Sequence, residues 1–150
     1  MIIQQITPQS PLYEAERMLR NEVLLRPIGI PDHAWEMHDH RSWHFVAIDQ
    51  AQVVGCVVLV PLDETQQKTQ LIQMAVKDSH QGQGVGKKLV AALEHFALEK
   101  GIQLIECHAR QEAVNFYLKL GYEIYGKPFE EVGILHRYMR KKMNTTVEQG

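Results

Sequence analysis

Three closely spaced glycines are the clearest chemical feature of this chain. Gly82, Gly84 and Gly86 lie in "SHQGQGVGKKLV" (79–90), between an apolar strand pattern and a helix pattern. Glycine is a poor helix former, so three of them at the start of a helix need a reason. Free backbone N–H groups and the positive end of the helix dipole attract anions at such a turn. The spacing therefore predicts that a phosphate or pyrophosphate approaches the backbone here.

Two common nucleotide-binding motifs do not fit this turn. The dinucleotide motif G-x-G-x-x-G fails because the sixth position counted from Gly82 is Lys87. The triphosphate motif G-x-x-x-x-G-K-[ST] fails because Gln81 stands where its first glycine belongs and Lys88 where Ser or Thr belongs. The alternative to a phosphate site is a tight turn that needs glycine for its conformation alone.

A second cluster combines imidazoles with carboxylates. The segment "PDHAWEMHDHRSWH" (31–44) contains His33, His38, His40 and His44 with Asp32, Glu36 and Asp39. Side chains of these types can bind Zn²⁺ or Ni²⁺. However, the H-x-H spacing suits a strand and the H-x₃-H spacing suits a helix, so they do not agree on one element. We expect no metal site, and a metal-binding module and a solvated loop both stay as alternatives.

Hydrophobic periodicity predicts a mixed α/β fold with one sheet around these clusters. Several strands are joined by short turns, which favours antiparallel pairing, whereas 69–109 forms a strand–helix–strand unit that requires a parallel crossover. Pro27 ends the first helix, and Gly101 and Gly121 end the other two. The predicted strands are 2–6, 44–48, 53–62, 69–76, 104–109, 122–126 and 134–142; the predicted helices are about 12–23, 85–100 and 112–120, with a broken-helix region at 26–43.

Composition limits the class of protein. The chain has 150 residues, 45% of them hydrophobic and 23% charged, with a net charge of −2. We therefore expect one domain over 1–143 with a flexible tail over 144–150, and no nucleic-acid partner. The longest apolar run, 53–60, is too short to span a bilayer, so no membrane partner is expected. Two cysteines in unrelated contexts and no signal-peptide pattern favour a cytoplasmic location.

Three motifs together resemble the GCN5-related N-acetyltransferase (GNAT) superfamily. Gln81-x-x-Gly84-x-Gly86 is similar to its acetyl-CoA signature, and "AVNFYLKLGY" (113–122) resembles its second signature. "GKPFEEVGILHRYM" (126–139) resembles a G-x-x-F-x-E-x-G-I-x-H-x-x-M block of one uncharacterised branch. The resemblance implies the GNAT acyl-CoA N-acyltransferase fold, with about seven strands and four helices, and acetyl-CoA as co-substrate.

The resemblance also assigns roles in donor binding. Met74, Ala75 and Val76 are expected along the pantetheine arm, and Arg110 stands where many members have a cofactor-contacting Asn. The expected pyrophosphate-binding residues are Gln81, Gly82, Gln83, Gly84, Val85, Gly86 and Lys87.

The implied reaction is acetyl transfer to a primary amine by direct attack in a ternary complex. Tyr117 matches the family's tyrosine, and a phenol is a suitable general acid for the departing thiolate. Strand alternation places Glu106 and His108 on one face of 104–109, so either is a candidate general base. By the same resemblance, Trp35, Glu130 and His136 are expected to line the acceptor site, with 31–44 shaping it.

An alternative function, the acceptor and the oligomeric state stay open at this stage. The same fold can serve as a non-catalytic acyl-CoA-binding or sensor domain, which would keep the 82–87 turn without depending on Tyr117. The acceptor, a small-molecule or peptide amine, is not specified by the sequence, and a homodimer is possible by analogy with the family.

Overall fold

A computed structural model describes residues 1–143, and the tail predicted for 144–150 lies outside the described residues. The chain divides into two compact units. The first unit contains Met1–Val60 and Ile72–His95, and the second contains Pro61–Leu71 and the chain from Phe96 onward. The single domain expected over 1–143 therefore stays a prediction.

Seven strands and three α-helices lie within the described residues, which confirms the mixed α/β class. Three helices are found rather than four because the region 26–43, which contains Pro27, Gly29 and Pro31, has only short 3₁₀ turns at Arg26–Ile28 and Asp39–Arg41. The elements are β1 (Ile2–Ile6), α1 (Tyr13–Arg20), β2 (Trp43–Asp49), β3 (Gln52–Pro61), β4 (Lys68–Val76), α2 (Val85–Lys100), β5 (Leu104–Arg110), α3 (Val114–Lys119), β6 (Glu123–Glu131) and β7 (Ile134–Lys142).

The first unit is built on antiparallel strands. β1 pairs with β2 and β2 with β3, and β4 lies next to β3. Helix α1 is shorter than the apolar stripe predicted, because the chain changes to a π-helical turn at Asn21–Leu25. The stripe nevertheless packs as expected, with Leu12, Leu19 and Val23 in one apolar cluster with residues of β1 to β4.

The second unit carries the predicted parallel pairing. Lys68–Leu71 runs parallel to β5, which in turn pairs with β7, and β7 pairs with β6, both antiparallel. Strand β6 continues past Gly126 to Glu131, beyond the end predicted from the sequence. A register shift between Tyr125 and Phe129 and a left-handed Gly126 allow the strand to absorb a stretch that reads as a turn.

A glycine inside β3 sets how closely α2 approaches this strand. A Cβ atom at Gly55 would lie 2.8 Å from Val85 Cγ1 and 3.1 Å from Leu89 Cδ1. Since real Cβ atoms do not approach other carbons that closely, only glycine permits this packing. Val85 is the first residue of α2, so the contact fixes the position of the turn that precedes the helix.

We expect Gly55→Ala to lower the free energy of unfolding by about 1–3 kcal/mol, because the added methyl group overpacks the α2–β3 contact. Urea denaturation of the single variants Gly55→Ala and Val85→Ala and of the double variant measures the coupling. The double variant should lose less stability than the sum of the two single variants. If the stability loss of the double variant equals the sum of the two single losses, the contact between positions 55 and 85 does not limit the packing.

Candidate active site

The glycine turn of the first unit has an open, left-handed backbone. Gly82 and Gly84 have φ values of +79° and +81°, and a Cβ at either position would meet nothing within 4 Å. Glycine is therefore required here by backbone conformation and not by tight packing inside the protein. The turn is exposed along 81–84, so the space that side chains would fill faces outward.

Helix α2 begins directly after this turn and supplies hydrogen-bond donors. Its first helical bond runs from the Lys88 N–H to the Gly84 carbonyl, 3.1 Å away. The N–H groups of Val85, Gly86 and Lys87 precede this bond and have no carbonyl one turn earlier in the helix. These groups, the helix dipole and the exposed Lys87 side chain concentrate positive potential beside the glycines.

Two glutamine side chains brace the turn from within. Gln81 Nε2 donates to the Val76 carbonyl at 3.0 Å and to Asp78 Oδ1 at 3.1 Å, and Gln83 Nε2 donates to the Ser79 carbonyl at 3.3 Å. Both amides are thus used inside the protein. Through these hydrogen bonds both side chains hold the loop geometry, and their predicted contact with the cofactor stays a prediction.

The end of β4 leads into the turn. Ala75 is buried, and its neighbours Met74 and Val76 are half-buried. Gln73, immediately before them, has a left-handed backbone with φ +52°, which is unusual for a residue with a side chain. The strand is therefore irregular at the point where the pantetheine-binding residues were predicted.

Tyr117 lies in α3 of the second unit, with an exposed fraction of 6%. Gly121, at φ +94°, ends the helix, so that the Tyr122 N–H reaches the Tyr117 carbonyl at 3.0 Å. The two tyrosine rings then meet edge to face, with 5.5 Å between centroids. Burial raises the pKa of Tyr117, and Cys107 adds to this effect, so the hydroxyl group stays protonated at neutral pH.

His108 and Glu106 share one face of β5, as the strand alternation predicted. His108 Nδ1 lies 2.9 Å from Glu131 Oε1, and its ring meets those of Phe129 and Tyr138 edge to face. Since a carboxylate only accepts hydrogen bonds, Nδ1 of His108 carries a proton, and Nε2 is the ring nitrogen that Glu131 leaves unbonded. Glu131 was not identified from the sequence, because nothing links it to a histidine 23 residues away.

The other predicted residues of the second unit lie around β5, β6 and β7. Glu106 is half-buried beside Tyr125, whose pKa is raised by burial and by this carboxylate. His136 is buried, and its Nδ1–H donates to the Ile134 carbonyl at 2.7 Å. Arg110 is opposite His136 in the β5–β7 ladder, whereas Glu130 is exposed on β6.

Comparison with known proteins identifies the family. The acetyltransferase (GNAT) family matches residues 10–122. The chain belongs to the GNAT family. It is therefore an acetyltransferase that uses acetyl-CoA as co-substrate.

Relatives of this GNAT protein include enzymes and uncharacterised proteins. Uncharacterized protein YyaT of Bacillus subtilis is 26% identical, over 98% of this chain and 99% of its own length. N-acetyltransferase 8 of Rattus norvegicus is 29% identical over 64% of this chain and 46% of its own length.

Solved structures share the fold. An aminoglycoside 6'-N-acetyltransferase complexed with coenzyme A matches with a TM-score of 0.81 and 20% identity, covering 99% of this chain and 100% of its own. Escherichia coli ElaA matches with a TM-score of 0.82 and 19% identity, covering 93% of this chain and 98% of its own. At these identities the likeness shows the fold alone.

The residues of the glycine turn fit the pyrophosphate of acetyl-CoA. The left-handed glycines leave the backbone uncovered, and the N–H groups at the start of α2 are donors only. Lys87 adds a cation, whereas the side chains of Gln81 and Gln83 are engaged in bracing the turn.

No α-helix among residues 1–143 is both long and apolar enough to cross a membrane.

One histidine of the cluster in this GNAT protein, His44, is part of a buried ion network, whereas His33, His38 and His40 are exposed. Arg20 donates to both Asp39 oxygens, at 3.1 and 2.6 Å, and to Glu16 at 2.9 Å. His44 Nδ1 lies 2.8 Å from Glu16 Oε2 and its Nε2 lies 2.8 Å from the Asp39 carbonyl. The Tyr13 hydroxyl group also donates to Asp39. Two carboxylates thus face one guanidinium and one imidazole, all at most 4% exposed.

Both ring nitrogens of His44 face acceptors, so both must donate and the ring must carry a positive charge. Burial lowers the pKa of His44, but the hydrogen bond to Glu16 and its charge raise it more, and the net pKa lies above 6.5. Arg20 and His44 then balance Glu16 and Asp39. The pKa of Tyr13 is raised by its burial and by Asp39, so this hydroxyl group stays neutral.

Further hydrogen bonds fasten the remainder of the segment 31–44 in the first unit. Arg17 donates to Glu36 at 3.1 Å, and the His33 N–H donates to Asn21 Oδ1 at 2.8 Å. No group of three or more His, Cys, Asp or Glu side chains within residues 1–143 is placed to hold a metal ion. The interpretation as a solvated loop is wrong for Asp39 and His44, since both are buried. The role of Trp35, which is half-buried, in acceptor binding stays a prediction.

We expect the free energy of unfolding to decrease as the pH rises from about 6.5 through the folded-state pKa of His44. Because this pKa is raised on folding, the stabilising charge is fully present below the unfolded value and is lost above the folded value, at up to about 1.4 kcal/mol per pH unit. Urea denaturation between pH 6 and 9 measures this decrease. His40→Gln, which changes an exposed histidine, should keep the wild-type profile, and His44→Gln should lose this component. A flat wild-type profile would contradict the charged state.

Proposed function

We propose that this GNAT protein is an N-acetyltransferase that moves the acetyl group of acetyl-CoA to a primary amine by direct attack in a ternary complex. The observation that carries the proposal is the left-handed glycine turn at the start of α2, whose donors suit a pyrophosphate. The acceptor is a small-molecule or peptide amine, and a cytoplasmic location and a possible homodimer belong to the same proposal. Thiol release from acetyl-CoA, screened over a panel of amines, tests it.

The proposed roles in donor binding follow the family motif. Gly82 to Lys87 bind the pyrophosphate through backbone N–H groups, with Arg110 as a further cofactor contact. The end of β4 lies along the pantetheine arm, and an N–H group among Met74, Ala75 and Val76 donates to the thioester oxygen. The irregular backbone at Gln73 supports this role, since it disturbs the strand directly before these residues.

The proposed proton transfers use His108 and Tyr117. An alkyl amine with a pKa of about 10.4 is mostly protonated at neutral pH and must lose a proton to attack. His108 Nε2 accepts this proton, and Glu131 holds the ring in the required tautomer. As the carbon–sulfur bond breaks, Tyr117 gives its proton to the departing thiolate. Its neutral state supports this, although its raised pKa makes it a weaker acid than an exposed phenol.

Glu106, on the same face of β5 as His108, is the alternative base. Trp35, Glu130 and His136 are proposed to contact the acceptor. A non-catalytic acyl-CoA-binding domain is the competing function, and it would keep the glycine turn without needing either proton transfer.

We expect Gly84→Ala to raise the Kd of coenzyme A about tenfold, because alanine strains the left-handed backbone and its methyl group occupies the outward-facing space. Isothermal titration calorimetry measures this. Gly101→Ala is the matched control, since Gly101 is also left-handed with open space around it but lies at the other end of α2. Both variants should lose similar stability, and only Gly84→Ala should lose affinity. If Gly84→Ala and Gly101→Ala bind coenzyme A with the same Kd, the glycine turn is not part of the acetyl-CoA site.

We expect Tyr117→Phe and His108→Gln each to lower kcat by about 10²-fold with the best amine found, since each removes one proton transfer. The Kd of coenzyme A should stay within about twofold of the wild-type value. Steady-state kinetics with thiol detection provides the measurement, and far-UV circular dichroism checks folding. Unchanged kcat in Tyr117→Phe would exclude this tyrosine as the general acid.

A further inference from the structure

Gln73 combines two unfavourable features in the first unit. Its backbone is left-handed, and the oxygen of its side-chain amide, Oε1, is buried with no hydrogen-bond partner among residues 1–143. A non-glycine residue in this conformation costs about 1–2 kcal/mol, and a buried unpaired acceptor costs about 1–3 kcal/mol. Strained backbone clusters at active sites and ligand clamps, and a buried polar atom without a partner needs an explanation.

The hydrogen bond made by Gln73 Nε2 fixes the orientation of the side-chain amide. Nε2 donates to the Trp35 carbonyl at 2.7 Å, and because a carbonyl cannot donate, this end of the amide must be the NH₂ group. The unpaired atom is therefore the oxygen. Turning the amide over would place two oxygens against each other, so the oxygen cannot find a partner by that route.

The backbone around Gln73 is also held in place. Its carbonyl accepts a hydrogen bond from Cys56 Sγ at 3.6 Å. Cys56 is a buried free thiol of β3, and its burial raises its pKa, so it stays a neutral donor. Since main chain and amide are both anchored, the buried Oε1 has a fixed position, on the residue directly before Met74 in the strand.

We infer that Gln73 Oε1 is a binding group for an N–H donor of a reactant, a role that rests on the proposed acetyl transfer. A lone acceptor oxygen selects a donor and rejects phosphate or carboxylate, so the pyrophosphate is not its ligand. Two sources supply this chemistry: an amide N–H of the pantetheine arm, and the amino group of the acceptor. Through Trp35, the same side chain joins β4 to the segment 31–44.

Gln73→Met tests the inference by replacing the amide with an unbranched apolar side chain of similar length. If the pantetheine amide is the donor, the Kd of coenzyme A rises about 3- to 10-fold and the KM of the amine is unchanged. If the acceptor is the donor, the KM of the best amine rises by this factor and the Kd is unchanged. Gln5→Met, at an exposed glutamine of β1, should change neither constant.

A second measurement uses the wild-type protein, so its result does not depend on whether Gln73→Met folds correctly. In protein labelled with ¹³C-glutamine, the Gln73 Cδ signal should move downfield on saturation with coenzyme A or with the amine, according to the source. The coenzyme A titration needs no turnover, so a shift there would stand even if the amine screen found no substrate. If neither ligand moves the signal and neither constant changes in Gln73→Met, the inference is wrong.

Discussion

The first unit depends on the balance of four buried charges. Arg20 and His44 neutralise Glu16 and Asp39, and none of the four is exposed enough for water to replace a lost partner. Removing one member of such a network leaves an uncompensated charge, which costs about 3–5 kcal/mol. The network joins α1, the turn at Asp39–Arg41 and β2. It therefore gives a fixed position to a segment with little regular secondary structure.

Left-handed backbone occurs at two kinds of position near the residues proposed to bind acetyl-CoA. At Gly82 and Gly84 the left-handed conformation carries little strain, and the missing side chains leave the backbone open to an anion. At Gln73 the same conformation is strained, and the side chain is retained with one end anchored and the other end unpaired. We propose that the first kind of position presents donors to phosphate and that the second presents an acceptor to an N–H group.

Much of the fold followed from the sequence, because apolar periodicity and glycine positions are local signals. The bounds of β1, α2 and β7 were predicted correctly, as was the parallel pairing of β4 with β5. Strand β6 was predicted too short, since Gly126 reads as a turn until its partner strand shows the bulge. Among site residues, the alternation of β5 placed Glu106 and His108 on one face, whereas the bond from His108 to Glu131 joins distant positions that no local pattern connects.

The sequence by itself determined the family, the donor and the glycine turn, because these depend on residue types at short, fixed spacings. Only the tertiary structure decided what the histidines do. His44 is charged because two acceptors surround it, and the Nδ1 of His108 is held by Glu131, from another strand. The tertiary structure was also needed to find the close fit of α2 at Gly55 and the unpaired oxygen of Gln73. Protonation and hydrogen bonding depend on neighbours in space, and the chain brings these together from positions far apart in sequence.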